Sequence, residues 1–336
     1  MTPTPPEPAL HGGDLDAARR RFPNAPEPWI DLSTGINPHP YPVPALDTAL
    51  WARLPQRSQE RALTEAACRR YGVPCPDMLV AAPGTQTLIQ RIPRLLPPGP
   101  VAVLSPTYSE HARAWRREGH AVREIADLDE MGDAKALIVV NPNNPTGRVV
   151  PVAVLRRLAA ELESRGGLLV VDEAFADVVE EPISLIPELP PSAVALRSFG
   201  KMYGLPGLRL GFAVADPKIA AQLRDDLGPW AVPVPALAVG AAALGDDAWL
   251  AEMRTVLQES GARMESLFFA HDCEIVGGTP LFRLIAHDDA GNLALALGAA
   301  GLYVRQFPER PAWLRFGLPG DESAWQRLES ALEVRR

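Results

Sequence analysis

Residues 136–147 read Ala136-Leu137-Ile138-Val139-Val140-Asn141-Pro142-Asn143-Asn144-Pro145-Thr146-Gly147. An apolar run without polar alternation, ended by a cluster of Asn, Pro and Gly, describes a strand covered on both faces and then a turn-rich loop. Leu168-Leu169-Val170-Val171-Asp172 repeats the pattern and ends on an acid. Strands of this kind belong to parallel or mostly parallel sheets flanked by helices. In open sheets of that class the ligand crevice lies beyond the carboxyl ends of the strands. The loop at 141–147 and the acid at 172 therefore point to one place.

Working outward, strand and helix patterns alternate. Strands are expected at Met78–Ala82, Val101–Leu104, Val194–Ser198 and Leu210–Ala215, with helices at Gln59–Tyr71, Thr85–Leu96, Ser109–Glu118 and Pro151–Arg165. Helical patterns then fill Pro217–Leu227, Pro235–Leu244 and Asp247–His271. The last part changes character, with short strands at Leu281–Ile285, Leu302–Arg305 and Trp313–Leu318 between helices at Asn292–Ala300 and Glu322–Val334. The fold class is α/β: a large domain over 45–235 with a mixed, mostly parallel sheet, and a small α+β domain built from 1–44 and 236–336.

The 336 residues suffice for two cores, and 47% apolar with 22% charged residues is an ordinary globular mixture. A net charge of −8 argues against a nucleic-acid surface, which needs clustered Lys and Arg. Three cysteines with no CxxC pair and six scattered histidines give no disulfide framework and no metal site. The Pro-rich start lacks the apolar core of a signal peptide, and apolar runs such as 231–244 are too short for a membrane span. A cytoplasmic location without membrane partners is the expectation.

The segment Ser198-Phe199-Gly200-Lys201-Met202-Tyr203-Gly204-Leu205-Pro206-Gly207-Leu208-Arg209-Leu210-Gly211 carries the strongest chemical signal. Desolvation disfavours an ammonium, so a lysine on a covered loop becomes competent to form an imine with an aldehyde. Ser198 and Arg209 supply a hydroxyl and a guanidinium to a phosphate. Gly84-Thr85 before a helix offers free N–H groups to the same anion. Tyr108, after the Val101–Leu104 strand, brings a ring that can stack on a flat ligand. A buried carboxylate such as Asp172 requires a cationic partner.

These five motifs, in this order along nearly the whole chain, resemble the class I/II aminotransferases of pyridoxal-phosphate (PLP) fold type I. His11-Gly12-Gly13, Asp31-Leu32-Ser33-Thr34-Gly35-Ile36-Asn37-Pro38, Pro229-Trp230-Ala231-Val232 and Leu314-Arg315-Phe316-Gly317 narrow the likeness to the threonine-phosphate decarboxylase branch, a sister of the histidinol-phosphate aminotransferases. The resemblance implies a homodimer with PLP as cofactor and a small phosphorylated amino acid as substrate. The implied reaction turns L-threonine O-3-phosphate into (R)-1-amino-2-propanol O-2-phosphate and CO2 in cobalamin biosynthesis. By likeness, Lys201 bonds the cofactor and later returns a proton to Cα, Asp172 pairs with the pyridine nitrogen, Asn144 meets the phenolic oxygen and Tyr108 stacks on the ring. Gly84, Thr85, Ser198 and Arg209 hold the cofactor phosphate; Arg315 takes the substrate carboxylate and Arg305 its phosphate, with His11 and Asn37 lining the substrate side.

Three positions depart from the family pattern. Phe175 stands where a Tyr commonly donates to the phenolic oxygen, which raises the pKa of the cofactor link by removing a donor to the anion. Gly200 replaces a hydroxyl residue before the lysine, and Leu54-Pro55 replaces a Tyr-Pro that reaches the neighbouring subunit. The sequence leaves two other readings open: an aminotransferase acting on histidinol phosphate or a related amino acid, and a PLP-fold binding protein without turnover.

Overall fold

The computed structural model describes residues 12–333. Its strands, in chain order, are β1 (Ile30–Leu32), β2 (Leu79–Ala82), β3 (Pro100–Leu104), β4 (Ala121–Ile125), β5 (Ala136–Val140), β6 (Leu168–Asp172), β7 (Ala193–Ser198), β8 (Gly211–Ala215), β9 (Glu274–Thr279), β10 (Phe282–Ala286), β11 (Leu302–Gln306) and β12 (Trp313–Gly317). The helices are α1 (Leu15–Arg21), α2 (Arg57–Tyr71), α3 (Thr85–Ile89), α4 (Glu110–Arg117), α5 (Val152–Glu163), α6 (Phe199–Met202), α7 (Pro217–Leu227), α8 (Val234–Leu244), α9 (Asp247–Ala270), α10 (Ala290–Ala299) and α11 (Glu322–Glu333).

The chain divides into two compact units. The larger holds Ile36–Ser260 with Gly278–Pro280; the smaller holds the chain through Gly35, Gly261–Gly277 and everything from Leu281 on. The boundaries expected at 44/45 and 235/236 therefore shift: residues 36–44 and 236–260 count with the larger unit. The reason is visible locally, because Asn37 donates to the carbonyl of Met202 and Tyr41 packs edge-on against Trp249 and Tyr203.

In the larger unit seven strands run in the order β2-β8-β7-β6-β5-β3-β4. β4, β3, β5, β6 and β7 are mutually parallel, while β8 is antiparallel to both β7 and β2. Alternate residues of β5 enter opposite cores, as strand geometry requires. Ala136 and Ile138 join Leu88, Ile89, Trp115 and Leu223 on one face. Leu137 and Val139 join Leu155, Leu158 and Leu162 of α5 on the other. At ~1.5–3 kcal/mol for each large apolar side chain removed from water, these two layers hold the sheet flat between helices.

The expected Thr85–Leu96 helix breaks: α3 stops at Ile89 and a separate 3-10 turn carries Pro93, whose ring cannot continue an α-helix. The smaller unit is a five-stranded sheet, β1-β11-β12-β10-β9, with β1 parallel to β11 and β12 antiparallel to both its neighbours. Among the described residues no single helix is long and apolar enough to cross a membrane; α8 and α9 are so only taken together, across a 78° bend.

Candidate active site

Strand direction collects the chemistry at one edge of the larger sheet. β3, β5, β6 and β7 end there, feeding Tyr108, Asn144, Asp172 and Lys201. β2 runs the same way and delivers Gly84 and Thr85, while the reversed β8 begins there, just after Arg209. Register makes this concrete: Ser198 lies opposite Gly211, and Gly211 opposite Ala82. Three strands thus present one row to the phosphate-type residues.

Gly84 turns the chain from β2 into α3 with φ of +83°, which L side chains rarely adopt. A Cβ there would come within 2.7 Å of Arg209 Nη2, so the bare glycine leaves room for a guanidinium over the turn. Arg209 itself is left-handed (φ 53°) and donates from Nη1 to the Pro206 carbonyl at 3.2 Å. A Cβ on Gly211 would meet the Thr85 amide nitrogen. Gly84, Thr85, Ser198 and Arg209 converge. Gly200 has a local cause too: a Cβ would lie 2.8 Å from Pro206 Cα, so no hydroxyl side chain fits before the lysine without moving that loop.

Lys201 sits on α6, a single helical turn, with its Nζ 5.6 Å from the centre of the Phe175 ring. Phe175 lies just past β6, so the amine faces the segment that carries Asp172. The backbone N–H of Asn37 donates to the Lys201 carbonyl at 3.0 Å, which brings one of the four substrate-side candidates to the same turn. Asp172 is 4% exposed; its Oδ1 accepts from the Ala174 amide at 3.0 Å and its Oδ2 lies 2.9 Å from His111 Nε2.

His111 was not among the residues expected to matter. It is buried on α4, three residues after Tyr108, and meets that ring edge-on at 6.2 Å. Only its placement one helical turn behind a candidate stacking residue hinted at this. Asn143, also passed over, is buried and donates to the Pro106 carbonyl and Thr146 Oγ1 while accepting from Thr107 Oγ1 at 2.7 Å. It pins the loop of Asn144 to the loop of Tyr108. Asn141 closes the same loop on the backbone of Val150.

Behind the site, Arg197 bridges Glu173 (3.1 Å) and Asp177 (2.8 Å), all three buried. Burial pushes the Glu173 carboxyl up, while the two carboxylates keep Arg197 firmly protonated.

In the smaller unit Arg305 and Arg315 lie directly opposite each other on β11 and β12. Like charges in that position repel. Arg315 is 7% exposed, donates from Nη2 to the Ser33 carbonyl at 2.6 Å and lies over the Phe282 ring. Burial first, and Arg305 second, lower its pKa to about 10. His11 lies outside the described residues.

The sequence profile of the family described as aminotransferase class I and II matches residues 27–332. The chain is 42% identical over 325 residues to a threonine-phosphate decarboxylase of Pseudomonas aeruginosa, covering 96% of both chains. A threonine-phosphate decarboxylase of a Sinorhizobium species is 41% identical over 333 residues, covering 97% of this chain and 98% of that one. Among solved structures, L-threonine-O-3-phosphate decarboxylase from Porphyromonas gingivalis superposes with a TM-score of 0.72 at 20% identity, over 84% of this chain and 93% of that one. Histidinol-phosphate aminotransferase from Sinorhizobium meliloti, in complex with pyridoxal-5'-phosphate, superposes with a TM-score of 0.78 at 18% identity, over 100% and 99%. At such identities the two superpositions speak for the fold.

Proposed function

The chain belongs to the class I and II aminotransferase family, and from that premise we propose that it is a PLP-dependent decarboxylase of L-threonine O-3-phosphate. The residues present fit the cofactor. A buried carboxylate backed by His111 suits a protonated ring nitrogen, and the bare Gly84 turn under the Arg209 guanidinium suits a phosphate. When bound, PLP supplies an electron sink for the pair left at Cα when a bond there breaks.

The chain's own residues do the rest. Lys201 Nζ would bond the cofactor aldehyde and would deliver a proton to the substrate Cα. Asp172, fixed by His111 and the Ala174 amide, would accept from the pyridine N–H. Asn144 would donate to the phenolic oxygen, with Phe175 adding no donor, and Tyr108 would stack on the ring. By resemblance, Asn37 and His11 are the proposed substrate-side residues.

The observation that carries the substrate class is the Arg305–Arg315 cross-strand pair. Guanidinium groups bind carboxylate and phosphate oxygens well, and threonine phosphate brings both a carboxylate and a phosphate. Histidinol phosphate brings the phosphate alone. Arg315 would take the substrate carboxylate and Arg305 its phosphate. The identity to two threonine-phosphate decarboxylases supports the same reading. A role in cobalamin assembly and a cytoplasmic location follow from it.

A second copy of the chain is the assigned partner. Trp51, Leu54 and Trp230 are 70%, 58% and 55% exposed, and a cleft of about 690 Å³ lies between Pro55, Arg57, Glu60 and Trp230. Apolar exposure on this scale marks a docking face, and a sedimentation mass of one chain would remove the assignment. Product analysis tests the reaction: the holoenzyme given threonine phosphate should release CO2 and aminopropanol phosphate with no keto acid added. Turnover that depends on 2-oxoglutarate would instead establish an aminotransferase.

A further inference from the structure

Gln86 follows Thr85 in α3, and Glu110 opens α4. Gln86 Nε2 lies 3.0 Å from Glu110 Oε2. A carboxylate accepts hydrogen bonds and cannot donate, so the Gln86 amide must turn its NH2 toward Glu110 and its carbonyl oxygen away. That oxygen lies 3.2 Å from the Tyr108 hydroxyl, which is thereby left as the donor. Gln90 Nε2 approaches the same Glu110 oxygen at 3.5 Å, and Arg113 Nε faces the other at 3.7 Å. The chain of donors runs one way, from phenol to amide to carboxylate.

The Tyr108 ring is held at two places. His111 meets it edge-on at 86°, and the amide fixes its far end. Glu110 sits in the first turn of α4, where a negative charge is favourable, so the anchor of the relay is itself well placed.

We propose that Gln86 and Glu110 are positioning residues that set where the Tyr108 ring lies and, through it, the seat of the cofactor. The proposal rests on the reading of Tyr108 as the stacking residue. Neither side chain touches the reacting atoms.

The test uses full-length protein titrated with PLP, reading the cofactor dissociation constant and the visible circular dichroism of the bound cofactor. Gln86→Met and Tyr108→Phe should each weaken binding about 2- to 10-fold, the range of one hydrogen bond, and both should reduce the dichroism. The double variant should be no weaker than the worse single one. Gln86→Glu sets two carboxylates face to face and should lose at least as much. Glu110→Gln added to it should bring affinity back to within about threefold of the parent, since residue 86 then accepts from both neighbours.

Losses that multiply in the double variant, or a Gln86→Glu defect that Glu110→Gln fails to rescue, would overturn the relay. Tyr108→Ala distinguishes the deeper failure. If that variant binds the cofactor with parental affinity and dichroism, the stacking role falls and the relay with it. If it binds poorly while the cycle is additive, only the relay falls.

Discussion

Arg315 is a cation held in a dry strand with a second cation, Arg305, directly opposite. Burial first, and Arg305 second, lower its pKa to about 10 in the folded chain. For a base, that sign means the charge opposes folding at every pH below about 10, and the opposition fades only above it. Arg315→Met should therefore fold at least as stably as the parent while losing saturable binding of threonine phosphate. A urea midpoint well below the parent's, or unchanged substrate affinity, would contradict that. The placement of Lys201, Asp172, Asn144, Gly84, Thr85 and Ser198 at one sheet edge was legible in sequence because each ends or follows a recognisable strand. His111, Asn143 and Gln86 were not, since their importance lies in partners that chain folding brings from 20 or more residues away.

At the scale of elements, the strand that delivers Lys201 is anchored by Arg197, whose guanidinium joins Glu173 after β6 to Asp177 beyond it. Removing one partner from a buried ionic group leaves the others uncompensated and costs ~3–5 kcal/mol. Arg197→Met should lower the urea midpoint accordingly. Burial already raises the Glu173 carboxyl, and a raised acid binds its proton more readily folded than unfolded. Loss of the guanidinium raises it further, so the deficit should shrink as pH falls through the carboxylate range. A deficit that does not change with pH would argue that the ions contribute only packing. The central strands were readable as unbroken apolar runs, whereas β4 and β9 were missed. Both are sheet edges: β4 exposes Arg123 and Glu124, and β9 exposes three residues and carries Gly277-Gly278. An edge strand faces water and needs no continuous apolar signature.

At the scale of the whole molecule the chain forms two compact units: the larger holds the residues proposed to bind the cofactor and Asn37, the smaller holds Arg305 and Arg315. The fold class was legible because five buried strands alternate with helices, a pattern that admits few architectures. The unit boundary at 260/261 was less so, because α9 runs unbroken through it. All of the proposed chemistry depends on Lys201 holding PLP opposite Asp172. The direct test is borohydride reduction of the PLP-loaded protein followed by peptide mapping. A phosphopyridoxyl group on Lys201 alone, lost in Lys201→Ala, is the predicted result; a label on any other lysine with Lys201 unmodified would contradict the account.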